Sequence, residues 1–230
     1  MKNVFSLFFV GFLFYFVVVG VFCLDVYAGH TEIGKPYSLS YVKDKNSTVI
    51  IYVGDSRTMM LSYKSGNRSE RDNYYLCWVN GGRIDCIYSH GSLTPYLNKA
   101  IKKYRNRCVV VFNLGVNGNS SPYNNADDII RTYSSWMSKY KDVPFYVESL
   151  NPTTIYTGSY SNWNVEIVNE RLKHEFSECY IDTYNYLRRL GYCLSGKGMR
   201  GDIHYGWQIN KRILTYTKSY IIKQNKRIIK

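Results

Sequence analysis

Val49-Ile50-Ile51-Tyr52-Val53-Gly54-Asp55-Ser56-Arg57-Thr58-Met59-Met60 is the stretch from which the rest of the chain can be read. Its first five residues are apolar and mostly β-branched, the composition of a parallel strand buried on both faces. Gly54 permits a sharp turn where that strand stops, and a helix is predicted to start near Ser56. A serine hydroxyl placed there stands at the carboxyl edge of a sheet, where α/β folds collect ligands. It also lies beside helix N–H groups that favour developing negative charge. Two readings follow: Asp55 and Ser56 cap a helix, or Ser56 is a nucleophile.

Working outward, strand-like segments at 49–53, 74–79, 108–114, 144–149 and 179–183 alternate with helix-like ones at 57–64, 93–105, 125–140, 162–176 and 206–224. Such alternation predicts an α/β domain, with helices on both faces of a parallel sheet of about five strands. Residues 29–47 are polar, contain Gly, Pro and Ser without a sustained period, and read as a linker, so the domain is predicted over 48–230.

The N-terminus carries its own signal. After Lys2, the run from Val4 to Leu24 is uncharged. At about 1.5 Å per residue it is long enough to cross a hydrocarbon core of roughly 30 Å. Val26-Tyr27-Ala28 offers small residues where a signal peptidase cuts. Residues 1–28 therefore read as a signal peptide or an N-terminal membrane anchor. Either way the domain is expected outside the cytoplasm, secreted or held at the outer face of the membrane.

The 230 residues include 30 Lys+Arg against 17 Asp+Glu, a net charge of +13, and 24 tyrosines. This balance suits an anionic surface or polymer, or a plain solvated exterior. Nucleic acid is set aside as a partner because no recognition motif accompanies the basic clusters at 102–107 and 223–230. Cys77, Cys108 and Cys179 fall in apolar runs, as small buried hydrophobes do, while Cys86 and Cys193 could form one bridge. His30, His90, His174 and His204 do not cluster at metal-ligand spacing, so no metal is expected.

Three further strand ends carry suggestive residues. Val79-Asn80-Gly81-Gly82-Arg83 is either a turn or a glycine pair whose backbone N–H groups approach a ligand. Gly115-Val116-Asn117-Gly118-Asn119 is either an Asn-Gly turn or the place where an asparagine amide donates to an oxyanion. In Gly201-Asp202-Ile203-His204-Tyr205-Gly206 a histidine precedes the last helix. It can reach the serine after the first strand if both loops share one edge of the sheet.

Taken in order, these blocks resemble those of the SGNH or GDSL-type serine hydrolases. Gly54-Asp55-Ser56 matches the nucleophile block, Asn80-Gly81-Gly82 the glycine block, Gly115-Val116-Asn117 the Gly-x-Asn block and Asp202-Ile203-His204 the histidine block. Further fragments are similar to a subgroup found in Gram-positive bacteria: Gly54-Asp55-Ser56-Arg57-Thr58, Asn113-Leu114-Gly115-Val116-Asn117, Ser149-Leu150-Asn151-Pro152, Ile181-Asp182-Thr183-Tyr184 and His204-Tyr205. The resemblance covers about residues 48–224. It implies a three-layer, flavodoxin-like α/β/α sandwich and ester chemistry through an acyl-enzyme, without cofactor or metal.

In that scheme Ser56 attacks, His204 is general base and Asp202 its acid. The oxyanion is held by the N–H of Ser56, a glycine N–H from Gly82 or Gly81, and the Asn117 amide. The sequence departs from the family at two points. Gly201 stands three residues before the histidine, where the family's acid falls, with Asp202 only two before it, and Gly118 follows the asparagine where the family often has aspartate. The implied substrate is an ester outside the cytoplasm, such as an O-acetylated polysaccharide. The alternatives are a catalytically impaired carbohydrate-binding module on the same fold and an O-acyltransferase.

Overall fold

The computed structural model describes residues 36–40, 42, 46–64, 73–78, 82–118, 121–154, 161–192 and 203–224. In chain order the elements are β1 (Pro36–Ser40), β2 (Val49–Gly54), α1 (Ser56–Lys64), β3 (Asn73–Trp78), α2 (Thr94–Tyr104), β4 (Cys108–Asn113), α3 (Pro122–Lys139), β5 (Phe145–Glu148), α4 (Asn162–Glu175), β6 (Tyr180–Ile181), α5 (Thr183–Arg189) and α6 (Trp207–Gln224). The strands form one sheet in the order β1-β3-β2-β4-β5-β6. From β3 to β6 all neighbours are parallel, and β1 joins β3 antiparallel.

The pleat explains the layering. Alternate strand residues point to opposite faces. Val49, Ile51, Val53, Val110, Phe112 and Val147 pack against α2, α3 and α4, whereas Ile50, Tyr52, Val109, Val111, Tyr146 and Ile181 pack against α1, α5 and α6. Both faces being covered, β2 and β4 are buried at every residue, which is why each reads as an unbroken apolar run.

The five parallel strands keep the flavodoxin-like order β3-β2-β4-β5-β6, with β4 in the middle and the chain winding outward in opposite directions from β2 and β4. The register aligns Gly54 of β2 with Asn113 of β4, so the loops after these strands emerge side by side at the switch point. Ligands in such sheets bind in that crevice.

The expected linker over 29–47 is corrected at its centre, because residues 36–40 form β1 and make the sheet six-stranded. Five residues of mixed polarity show no alternating period. Their place is fixed by pairing with β3, Pro36 opposite Trp78 and Ser40 opposite Tyr74, and a proline can open an edge strand because its missing N–H costs little there. One helix end and one whole helix also differ from expectation. α3 begins at Pro122, three residues early, where Ser121 Oγ accepts from Asn124 N–H and proline suits the first helical position. The short α5, capped by Asp182 through Asn185 N–H, fills a stretch with no predicted helix.

The thiols of Cys77, Cys86, Cys108 and Cys179 are free, and the first three are buried. Cys193 and the segment 1–28 lie outside the described residues. Among the described residues no helix is long and apolar enough to cross a membrane.

Candidate active site

The turn after β2 is built from adjacent residues. Asp55 is fully buried, and its Oδ1 accepts the Arg57 N–H at 2.8 Å while its carbonyl accepts the Met59 N–H at 3.2 Å. Asp55 is therefore the helix cap and Ser56 the first residue of α1, whose own N–H has no intrahelical partner. Capping and a role for Ser56 are thus not alternatives. Gly54 is required by close packing, because a Cβ there would lie 1.8 Å from Thr58 Oγ1 and 3.2 Å from the Asn113 carbonyl oxygen.

His204 arrives from the other end of the chain, just before α6. Its Nε2 lies 3.0 Å from Ser56 Oγ. For the ring to accept the serine proton, Nε2 must carry the lone pair and Nδ1 the hydrogen. The loop is fixed by its neighbour: the buried Tyr205 hydroxyl donates to the Pro152 carbonyl at 2.8 Å, and Asn210 Nδ2 donates to the Tyr205 carbonyl at 3.2 Å. Burial lowers the His204 pKa below 6.5, with the Asp55 charge opposing and the Arg57 charge adding to the effect. A neutral, proton-accepting imidazole is favoured as a result.

Gly82 and Asn117 are also brought together. Asn117 is buried and its Nδ2 donates to the Gly82 carbonyl at 3.0 Å. A side-chain amide carries two hydrogens, so bracing Gly82 leaves one to aim at a ligand. The loop that carries Asn117 turns at Gly115, whose φ of +130° favours glycine. Asn125 of α3 holds that loop by donating to the Gly115 carbonyl at 2.8 Å. At Gly118 a Cβ would fall 2.2 Å from the Asn125 side chain, which occupies the space an aspartate at this position would need.

Of the residues singled out from sequence, Ser56 and His204 meet directly, and Gly82 and Asn117 meet each other. Asp202, Asn80 and Gly81 lie outside the described residues. Among the described residues no carboxylate hydrogen-bonds His204 Nδ1, and no three His, Cys, Asp or Glu side chains converge on a metal-sized site.

Beneath the pair lies a charged group without assignment in the sequence. The Arg57 guanidinium is buried with its Nε 3.4 Å from Asp55 Oδ1. Burial works against its charge, but Asp55 and Tyr205 hold it protonated. Glu148, at the end of β5, is also buried, and Thr217 Oγ1 donates to its Oε1 at 3.4 Å. Burial raises its pKa to about 7, although Asn113, the Arg57 charge, Thr183 and Thr217 each pull it down. A carboxylate closing the apolar run Phe145-Tyr146-Val147 is the signal that could have marked it.

The loop after β5 is held by two amide clamps. Asn169 accepts from Leu150 N–H and donates to the Leu150 carbonyl, both at 2.8 Å, and Asn162 does the same for Thr153. Pro152, the anchor of Tyr205, lies between them.

No family model and no curated protein matches the sequence. Solved structures do match. A member of the lipolytic G-D-S-L family from Veillonella parvula is similar at 12% identity, over 79% of this chain and 100% of that one, with a TM-score of 0.54. A carbohydrate esterase family 3 protein from Talaromyces cellulolyticus shows 15% identity over 78% and 99%, TM-score 0.54. A catalytic mutant of an acetylxylan esterase from Geobacillus stearothermophilus shows 9% over 82% and 99%, TM-score 0.52. The chain has the fold of the SGNH and GDSL-type hydrolases, as the four sequence blocks implied.

Proposed function

We propose that this protein is a serine esterase that removes O-acyl groups through an acyl-enzyme, acting outside the cytoplasm on an acylated carbohydrate. The observation that carries the reading is the 3.0 Å approach of His204 Nε2 to Ser56 Oγ across 148 residues of sequence. Ester hydrolysis is also the chemistry named for proteins of the same fold, which include a lipase/acylhydrolase, an acetylxylan esterase and a carbohydrate esterase. The outward location is supported by the uncharged run from Val4 to Leu24 behind Lys2.

In the proposed mechanism Ser56 Oγ attacks the carbonyl carbon as His204 Nε2 takes its proton. The new oxyanion accepts from Ser56 N–H, Gly82 N–H and Asn117 Nδ2. Collapse breaks the carbon–alkoxy bond, and His204 returns the proton to the departing alcohol. Water, deprotonated by the same ring, then releases the acid and restores Ser56. Asp202 is the carboxylate proposed to orient Nδ1–H. Asp55, whose charge opposes the lowering of the His204 pKa by burial, lends negative charge while the ring is protonated.

The test is labelling of the full chain with a serine-directed fluorophosphonate, alongside turnover of a short aryl acetate. Labelling is expected on Ser56 alone, and Ser56→Ala should lose both the label and, on the order of, a thousand-fold or more of the turnover. Label on another residue, or turnover that survives Ser56→Ala, overturns the proposal.

A further inference from the structure

Exposed aromatics among the described residues recur at the starts of helices. Tyr96, Tyr123, Trp163 and Trp207 each fall within the first three residues of α2, α3, α4 and α6. α3 and α4 each follow a parallel strand and so begin on the carboxyl-edge side of the sheet, and α6 begins beside His204; α2 starts lower, its Asn98 accepting from Lys139 and Tyr140 at the far end of α3. Tyr123, Trp163 and Trp207 therefore start helices on the side of the sheet that holds Ser56. The exposed aliphatics, Leu190 and Ile222, sit at the other ends of α5 and α6. Flat aromatic faces on the Ser56 side, with no clustered aliphatic chains among the described residues, fit sugar rings better than a lipid surface.

One of these rings belongs to a formed cavity. Trp207, Gln208, Lys211, Arg212 and Thr215 of α6, with Tyr186 of α5, line a space of about 410 Å³, within the roughly 300–1,000 Å³ of ligand clefts. The α6 residues recur at helical spacing on one face, while Ile209, Ile213 and Leu214 are buried on the other. Lys211 Nζ lies 5.2 Å from the Trp207 ring centre, and the Arg212 Nε donates to the Tyr192 hydroxyl at 3.1 Å. Tyr186 stacks on Tyr216 with centroids 4.2 Å apart, which fixes its ring. The cavity thus combines two cations, hydroxyl and amide groups and an indole, with no carboxylate among the described residues that line it.

We propose that this cavity is a subsite for one unit of an anionic polysaccharide whose neighbouring acylated unit lies at Ser56. Trp207 takes a sugar face, Lys211 and Arg212 take a carboxylate or phosphate, and Gln208, Thr215 and Tyr186 meet hydroxyls. The acyl part of this statement rests on the esterase reading; the binding part does not.

Binding of polygalacturonate, phosphomannan and neutral dextran to the full chain, measured by calorimetry without any turnover, tests the subsite apart from the chemistry. Polygalacturonate or phosphomannan should bind while dextran does not, and which of the two binds tells carboxylate from phosphate. Trp207→Ala and the double variant Lys211→Ala/Arg212→Ala should each weaken binding about tenfold, with unchanged melting temperatures. Their turnover of a short aryl acetate should stay within about twofold, since neither site touches the ester. Added salt should weaken the parent more than the double variant. Equal affinity of parent and variants, dextran binding as tight as the anionic polymers, or binding only to phosphatidylglycerol vesicles overturns the subsite. If no ester is turned over yet the anionic polymer binds through Trp207, the esterase reading falls and the subsite stands.

Discussion

Ser56 and His204 end 3.0 Å apart, yet the chain delivers them by different means. Everything that places Ser56 lies within a few residues of it: the buried strand, the close approach at Gly54, the Asp55 cap and the first turn of α1. His204 sits outside any helix or long strand and is held from a distance. Tyr205 reaches Pro152, which two asparagines of α4 secure, one clamping Leu150 and the other Thr153. The nucleophile is thus a local structure, whereas its base depends on packing among three separate segments.

With Ser56 and His204 themselves left in place, the largest expected effect falls on Asn117. Asn117→Ala should reduce the turnover of an aryl acetate by about 100- to 1000-fold with the fold intact, since it removes one oxyanion donor. A loss below tenfold in steady-state assays would leave Asn117 as a brace for Gly82 only.

Striking the local half comes next. Gly54→Ala forces a methyl group onto Thr58 and should cost about 1–3 kcal/mol in denaturant unfolding. A neutral result would mean that β2 and α1 are not locked as described.

Striking the distant half should be milder and of a different kind. Tyr205→Phe removes the bond to Pro152, at about 1 kcal/mol of stability. It should lower kcat about tenfold with KM little changed, because a misplaced base slows proton transfer without touching substrate binding. Equal losses in kcat for Gly54→Ala and Tyr205→Phe at matched stability would erase the contrast between the two halves.

The smallest effect is a displacement along the pH axis. Burial lowers the His204 pKa, so protonation is resisted and the imidazole stays a base into mildly acidic solution. The kcat/KM profile should fall as pH decreases, with its inflection on the acid side of 6.5, the ordinary histidine value. An inflection above 6.5 would show that an acidic partner outweighs burial.

The same contrast decides what could be read from sequence. The strand, turn and serine at 49–56 carry an apolar run, a glycine and a cap within eight residues, and they were legible without tertiary information. The Gly82, Asn117 and His204 blocks were legible as types, but their meeting depends on the order of the strands, which the sequence implied only through resemblance. Arg57, Glu148 and Tyr205 stayed without roles because a buried arginine, glutamate or tyrosine leaves no local period. Their significance comes from what lies across the sheet. β1 was missed for a related reason, since its backbone bonds to β3 and not its side chains make it a strand. α5 was missed because seven residues are too few for helical spacing to stand out next to the two-residue β6.

The outermost strands have a consequence for how copies of the chain meet. β6 offers only two residues of backbone, and β1 only five, the first of them a proline. A sheet so short at both margins gives another molecule almost nothing to extend by strand pairing, and cross-β templating from folded protein is therefore discouraged. Crowded molecules would instead encounter one another through a strongly cationic exterior, which repels like copies.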